Sequence, residues 1–519
     1  MVRGGCGEFV GGKWLACDWE GGVISELDRI KSRLSMVLGK GKGNEETRPV
    51  VVHWFRQDLR LSDNPALFEA AAAGRVLPVY ILDDESAGEY SMGGASRVWL
   101  YHSLMALNES LGGTLRVYSG EAQAVLLRLV EEYDVQSVYW NRCYEPWRVN
   151  RDRGIKESFR NRGVAVESFN GSLLWEPWTG LKKDGTPYKV FTPYFRKARS
   201  VDGEAPREPI PMPEGIVFAE GSFGEEGIDS LGLLPEVRWD QSLVGSWAFG
   251  EVAARAQLDE FISNRVYEYK KGRDFPAAEK TSRLSPHLHW GTISPHQVWD
   301  ALGDCLDDDN VDTFRSELGW REFSYSLLYH FQELPACNLQ AKFDAFPWQN
   351  DFVSLERWQQ GRTGYPIVDA GMRELWQTGT MHNRVRMIVG SFLVKNLLLH
   401  WQLGAEWFWD CLFDADLASN SASWQWVAGC GADAAPYFRV FNPVTQGEKF
   451  DRAGEYTRKY VPELDKLPQK YLYCPWDAPG EVLREAGVVL GETYPKPIVH
   501  LKDSRERALE AYQTIRVTG

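Results

Sequence analysis

The chain has 519 residues, too long for one ordinary core, and points to two domains with room for a cofactor between or inside them. Its net charge of −14 argues against indiscriminate coating of nucleic acid but leaves room for a local basic groove. No apolar run reaches the length of a membrane span. The eight cysteines (Cys6, Cys17, Cys143, Cys305, Cys337, Cys411, Cys430, Cys474) form no CxxC pair. A soluble cytoplasmic protein without a disulfide framework or metal site is therefore expected.

Residues 1–48 begin Gly-rich, carry the basic tract around Lys40 and Lys42, and lack the hydrophobic stretch of a secretory signal, so they are expected as an N-terminal extension. Residues 49–55 read as a strand. Asp63, Asn64 and Pro65 cap and open a helix to Ala73. Strands at 76–82, 114–118 and 135–140 then alternate with helices at 96–111 and 122–133. Such alternation predicts an α/β domain over 49–175 built on a parallel, doubly wound sheet, a nucleotide-binding class of architecture. No GxGxxG follows the first strand. Residues 176–245, rich in Pro, Gly and acidic side chains, read as an interdomain connector. Beyond Trp247 the periodicity turns helical at 252–264, 297–302, 312–331, 355–360, 369–377, 384–400 and 406–413. An all-α domain is expected over 246–464, with a tail over 465–519.

Two clusters in the helical part carry chemistry. Thr281, Ser282, Arg283, Leu284 and Ser285 precede Pro286, a run of hydroxyls and one guanidinium suited to a pyrophosphate and equally suited to helix capping. Asn383, Arg384, Val385, Arg386 and Met387 enter an otherwise apolar helix, where the arginines need anionic partners such as Asp414 and Asp416. A buried ion pair and a charged sleeve around a bound ring look alike at this level. Basic residues also gather between Arg265 and Arg283 and between Arg439 and Lys459. The 22 tryptophans, several of them between Trp348 and Trp426, are core by default.

Six motifs resemble the DNA photolyase and cryptochrome family, in the family's order: WFRQDLRLSDNPA (54–66), TSRLSP (281–286), ELGWREF (317–323), GYPIVDAGMR (364–373), MHNRVRM (381–387) and DADLASNSASWQW (414–426). The resemblance implies an antenna domain followed by a helical domain that holds FAD. By position, Tyr269 and Thr281 to Ser285 hold the diphosphate and ribityl groups, and Arg386 and Asp414 pair across the flavin ring. Asn383, Ala415 and Asp416 belong to the same cofactor set. Asn420 falls beside flavin N5, where an amide supplies no proton as an acid would. Trp424, Trp401 and Trp348 match the electron chain from flavin outward.

The implied partner is UV-damaged DNA, acted on by a monomer and with no membrane. Trp320 and Trp426 match the wall against which a flipped lesion stacks. Glu317 matches a carboxylate on the thymine edge, which donates a hydrogen bond only if burial keeps its proton. Arg273, Arg384, Met387, Arg439 and Gln446 complete the implied DNA and lesion contacts. Two departures leave the second, antenna chromophore open between methenyltetrahydrofolate, a deazaflavin and none: residues 141–152 lack the family's Asn-Glu pair, and 335–340 lack its lysine. Asn383 and Met387 stand where relatives that repair six-four photoproducts carry histidines. The expected activity is light-dependent repair of cyclobutane dimers, a deoxyribodipyrimidine photolyase reaction. The alternative is a cryptochrome-type photoreceptor, which Asn420 and Trp426 weigh against.

Overall fold

In the computed structural model the described residues are 48–200, 205–220, 227–434 and 439–517. The N-terminal extension, apart from Arg48, lies outside them. Five strands form one parallel sheet: β1 (Val50–Phe55), β2 (Arg75–Leu82), β3 (Arg116–Ser119), β4 (Ser137–Asn141) and β5 (Ala165–Phe169), in the order β3-β2-β1-β4-β5. Val51, Phe55 and Tyr80 pack on one face, against α1 (Pro65–Ala73) and α2 (Gly94–Ser110). Val52, Trp54, Leu77 and Val79 pack on the other, against α3 (Ala122–Tyr133) and α4 (Pro146–Arg160). Helices on both faces explain why these strands are nearly continuous apolar runs. The Asn64 side chain accepts from Leu67 N at 3.0 Å with Pro65 in the first turn, as the sequence implies.

The segment after β1 bolts this domain to the helical half. Arg60 donates to the carbonyls of Gly291 (2.9 Å) and Gly171 (2.6 Å). Asp63 accepts from Ser294 Oγ and Arg207, and from Ile210 N at 2.9 Å. Glu251 accepts from Leu61 N at 2.7 Å. Part of the region read as connector is also built in: α5 (Phe191–Ala198) packs its aromatic face into the helical half.

The helical half contains α6 (Gly250–Asn264), α7 (Ser285–Trp290), α8 (Pro295–Ala301), α9 (Asp309–His330), α10 (Phe352–Gln359), α11 (Pro366–Thr378), α12 (Asn383–Ser391), α13 (Trp401–Cys411), α14 (Leu417–Ala428), α15 (Pro443–Phe450), α16 (Glu455–Tyr460) and α17 (Leu501–Val517), with short turns and a further helix at Gly480–Ala486 between. The single helix expected over 384–400 is broken. α12 stops at Ser391, a π turn covers Phe392–Asn396, and Leu398 adopts φ 55° before α13 begins. The run is buried from Phe392 to Leu399, so its apolar pattern hides the break, while Gln349 N bonds Leu398 O at 2.8 Å and His400 caps Gln402 N. The segment read as a tail from 465 is folded too: Leu467, Leu472, Tyr473, Tyr494, Ala508 and Ile515 enter the same core as α11 and α12. Among the described residues no helix is long and apolar enough to cross a membrane.

Candidate active site: a cavity within the helical half

A cavity of about 1580 Å³ opens among α9, α11, α12, α14 and α16. At one end stands the run Thr281 to Ser285. Its carbonyls are tied back, Thr281 O by Arg265 (3.2 Å) and Ser282 O by Gln257 (3.0 Å). Arg283 takes φ 54°, and its guanidinium lies 4.1 Å over the Trp247 ring. A left-handed conformation is uncommon for a non-glycine residue and lends this turn a functional reading. Tyr269, buried, lines the cavity nearby with Arg273 against its ring.

At the centre Arg386 places one nitrogen 3.0 and 2.9 Å from the two oxygens of Asp414, while its Nε bonds Met381 O. Of the two aspartates offered by the sequence, Asp416 plays another part. It caps α14 through Ser419 N (2.6 Å), accepts from Tyr325 Oη, and lies 3.7 Å from His289. Burial alone pushes its carboxyl up, but His289, Tyr325 and Arg321 outweigh that and hold it well below the usual carboxylate range. Arg384 pairs with neither aspartate but with Asp274, at 2.6 Å. Asn420 donates one of its two amide N–H groups to Ala405 O at 3.0 Å, which anchors the side chain. Ala415 and Asn383 also line the space.

Glu317, Trp320, Trp426 and Arg273 share the same cavity. Glu317 is not deeply buried: 30 % of its side chain is exposed, and Arg273 pairs with it. The implied DNA contacts divide between two places. Arg384, Arg439 and Gln446 line a neighbouring groove of about 400 Å³ with Lys449 and Phe450. Met387 borders both spaces.

Trp424 forms part of the cavity wall, whereas Trp401 and Trp348 lie behind it. An added Cβ on Gly404 would stand 2.2 Å from the Trp424 ring, so the glycine lets α13 press against that indole. Trp401, one turn before Gly404, is buried and donates to Asn338 at 2.9 Å. The His400 ring lies 5.6 Å from Trp401 and 5.0 Å from Trp348, which is only partly buried. Trp401, His400 and Trp348 thus form an aromatic run behind the cavity wall.

Sequence reasoning missed several lining residues: Gln257, His382, Glu374, Tyr456, Lys459 and Tyr460. Glu374 accepts from Tyr456 Oη at 2.6 Å and His382 N at 3.2 Å, and burial raises its pKa. The signal available was the i, i+4 pair Tyr456 and Tyr460 on one helix face.

The donor set suits a dinucleotide bearing an aromatic ring: a hydroxyl and guanidinium run for phosphates, a carboxylate–guanidinium pair for a polar ring edge, and an apolar wall of Phe408, Leu412, Trp424 and Val427. The family described as the FAD binding domain of DNA photolyase matches residues 314–514, and the DNA photolyase family matches residues 51–214. The chain belongs to the DNA photolyase family. It is 49 % identical over 481 residues to a deoxyribodipyrimidine photo-lyase of Agrobacterium fabrum, covering 91 % of this chain and 99 % of that protein. It is 39 % identical to Cryptochrome-2 of Arabidopsis thaliana, covering 89 % of this chain and 78 % of that one. The crystal structure of a bacterial class III photolyase from Agrobacterium tumefaciens superposes with a TM-score of 0.86 at 48 % identity, over 92 % of this chain and 99 % of that one.

Proposed function

We propose that this protein repairs cyclobutane pyrimidine dimers in DNA, driven by light, with FAD held in the helical cavity. The observation that carries this reading is that the implied lesion wall (Trp320, Trp426) and the polar pair Arg273 and Glu317 open into the same space as Arg386, Asp414 and Asn420. FAD, when bound, reduced and excited, supplies one electron to the lesion. The residues present do the rest. Arg386 and Asp414 hold the ring edge, and the Thr281 to Ser285 turn holds phosphates. Asn420, anchored by one N–H on Ala405 O, is an amide and carries no proton acidic enough to transfer. Trp320 and Trp426 offset the stacking lost when the lesion leaves the duplex, by about 1–3 kcal/mol per base. The partner is UV-damaged duplex, and the acting unit is a cytoplasmic monomer.

Six-four photoproducts are excluded as substrates in this reading because their repair needs a proton delivered to the lesion. Asn383 and Met387 have none to give near neutral pH. The adjacent His382 accepts Arg384 N at its Nδ1, and burial, with the charge of Arg384, pushes its pKa down to about 4, leaving it neutral. The test is a light-dependent assay of purified protein on oligonucleotides bearing either lesion. Loss of cyclobutane dimers alone is expected. Loss of six-four lesions overturns the lesion assignment, and activity on neither favours a photoreceptor. Trp401→Phe is expected to slow flavin photoreduction markedly while chemically reduced enzyme still repairs; unchanged photoreduction removes Trp401 from the electron route.

A second, light-harvesting chromophore has one supporting feature. Arg148 and Arg151 lie over Trp147 at 4.7 and 5.0 Å, at the carboxyl edge of the sheet. The cleft there is only about 30 Å³, so methenyltetrahydrofolate or a deazaflavin enters only if it opens. An absorption band beyond those of flavin in the purified protein decides this.

A further inference from the structure

Both tryptophans of the lesion wall are braced from behind by one short stretch of the segment that the sequence reads as connector. Phe191, at the start of α5, stacks on Trp320 with ring centroids 3.9 Å apart and planes 11° apart. Phe195, one turn on, stacks on Phe191 at 5.3 Å and 16°. α5 reaches this position because residue 319 is glycine: an added Cβ there would lie 2.5 Å from the Phe195 ring. On the other side of the cavity, Trp426 Nε1 donates to the carbonyl of Asp433 at 3.1 Å. Asp433 is tied to the same stretch: its own N–H donates to Lys189 O at 3.1 Å, two residues before Phe191. Asp433 adopts φ 50°, a left-handed conformation held by these bonds.

We propose that residues 189–195 and Asp433 form a brace that sets the gap between Trp320 and Trp426, making Phe191 and Asp433 positioning residues for damage recognition. This rests on the reading that these two tryptophans stack the lesion. A flat lesion edge is gripped by two indoles only if their separation is fixed before it arrives, because each wall that must be ordered on binding subtracts from affinity. Trp320 gains that order from a parallel ring stack, Trp426 from a single N–H tether. Since Asp433 N meets Lys189 O, two residues before Phe191, the two walls are referenced to one stretch of the chain.

The experiment compares binding of cyclobutane-dimer and undamaged duplex by the FAD-loaded protein, with flavin content and melting temperature as controls. Phe191→Leu keeps an apolar side chain but removes the ring, and is expected to lower the ratio of damaged to undamaged affinity by about three- to tenfold. Phe191→Tyr keeps the ring and restores most of that ratio. Asp433→Val, whose branched side chain disfavours φ near 50°, lowers it in the wild-type background and has little further effect once Trp426 is replaced by Phe, whereas Asp433→Gly, which adopts that conformation freely and keeps both backbone bonds, retains it. Flavin content and photoreduction stay at wild-type values throughout. If Trp320→Ala abolishes damage preference while Phe191→Leu and Asp433→Val leave it intact, the brace is overturned and the stacking wall stands. If Trp320→Ala itself leaves the preference intact, the stacking wall fails, and the brace with it. Equal losses in Phe191→Tyr and Phe191→Leu, or losses that track a fall in melting temperature, reduce the stretch to ordinary packing and also overturn it.

Discussion

The α/β domain and the helical half each contain a place where a nucleotide is expected, and they treat their polar groups in opposite ways. In the sheet the strand order reverses between β1 and β4, where open parallel sheets characteristically bind ligands beyond the strand ends. Here that crevice is filled by its own side chains. Arg56 binds Asn141 O and Asp152 (2.6 Å), and Asn141 donates to Asp58 (2.6 Å) and Asn64 (2.7 Å). A Cβ on Gly171 would meet the Asn141 amide at 2.6 Å, so the loop after β5 closes the lid. In the helical half, by contrast, Arg386, Asp414 and the Thr281 to Ser285 turn border about 1580 Å³ of space. Architecture nominates the first place, but side chains fill it and leave a cleft of only about 30 Å³ at the sheet edge, while the large cavity lies in the second.

The largest expected effect breaks this comparison at its centre. Arg386→Met leaves Asp414 without its partner and removes the guanidinium from the ring edge, and is expected to cut the FAD affinity of the folded protein by at least about tenfold. Flavin absorbance per mole of protein after dialysis measures this, with far-ultraviolet circular dichroism as the check on folding. Retention of flavin at the wild-type level would remove the Arg386–Asp414 pair from the cofactor site. The matching change in the sheet crevice is Arg56→Met, which takes from buried Asp152 one of its two arginine partners and leaves it Arg151 at 3.1 Å. A loss of about 1–3 kcal/mol in denaturant unfolding is expected, with no change in flavin affinity. Loss of flavin with little loss of stability would reverse the roles assigned to the two places.

The same contrast explains what was legible in the sequence. Alternating strands and helices are local patterns, and the helix expected over 122–133 coincides with α3. Charged α4 was unread because only Asp152, Ile155 and Phe159 of its 15 residues are buried, too few for a clear apolar stripe. α14 was unread as a helix for the opposite reason, its small residues Ala418, Ser421 and Ala428 being buried without a periodic run of large ones. The resemblance put most lining residues in hand. It did not separate Arg384, Arg439 and Gln446 from the main cavity, nor reveal that Asp416 is a helix cap, because these are facts about which side chains meet across the fold. Phe191 and Asp433 carried no signal at all, as their roles depend on contacts between segments about 240 residues apart.

A smaller effect is expected in the second groove, which separates phosphate contact from lesion contact. Arg439→Ala weakens binding to damaged and undamaged duplex alike and lowers the slope of log affinity against log salt by about one unit. Arg273, inside the cavity and paired with Glu317, makes the comparison: Arg273→Ala weakens damaged duplex more than undamaged. Selective loss of damaged-DNA binding in Arg439→Ala would move that residue to the lesion.

The smallest effect concerns Lys395, which sits on the π turn behind the groove, 6 % exposed, and donates to the Arg439 carbonyl. Burial, assisted by the charge of Arg439, pulls its pKa from 10.5 down to about 7. The unfolded chain therefore holds a proton that the folded chain has released between those values, so stability attributable to this group rises with pH across that interval and is flat below it. Lys395→Met removes the titration. Urea unfolding of both proteins at about pH 7, 8.5 and 10 is expected to show the wild type gaining on the variant as pH rises, and a gain in the other direction would contradict the assigned shift. Because the amine donates to the Arg439 carbonyl whether charged or neutral, the loop that carries Arg439 keeps its anchor through the titration. The wild-type salt slope for DNA binding is accordingly expected to stay constant over the same range, which separates the cost of burying Lys395 from the work done by the groove it supports.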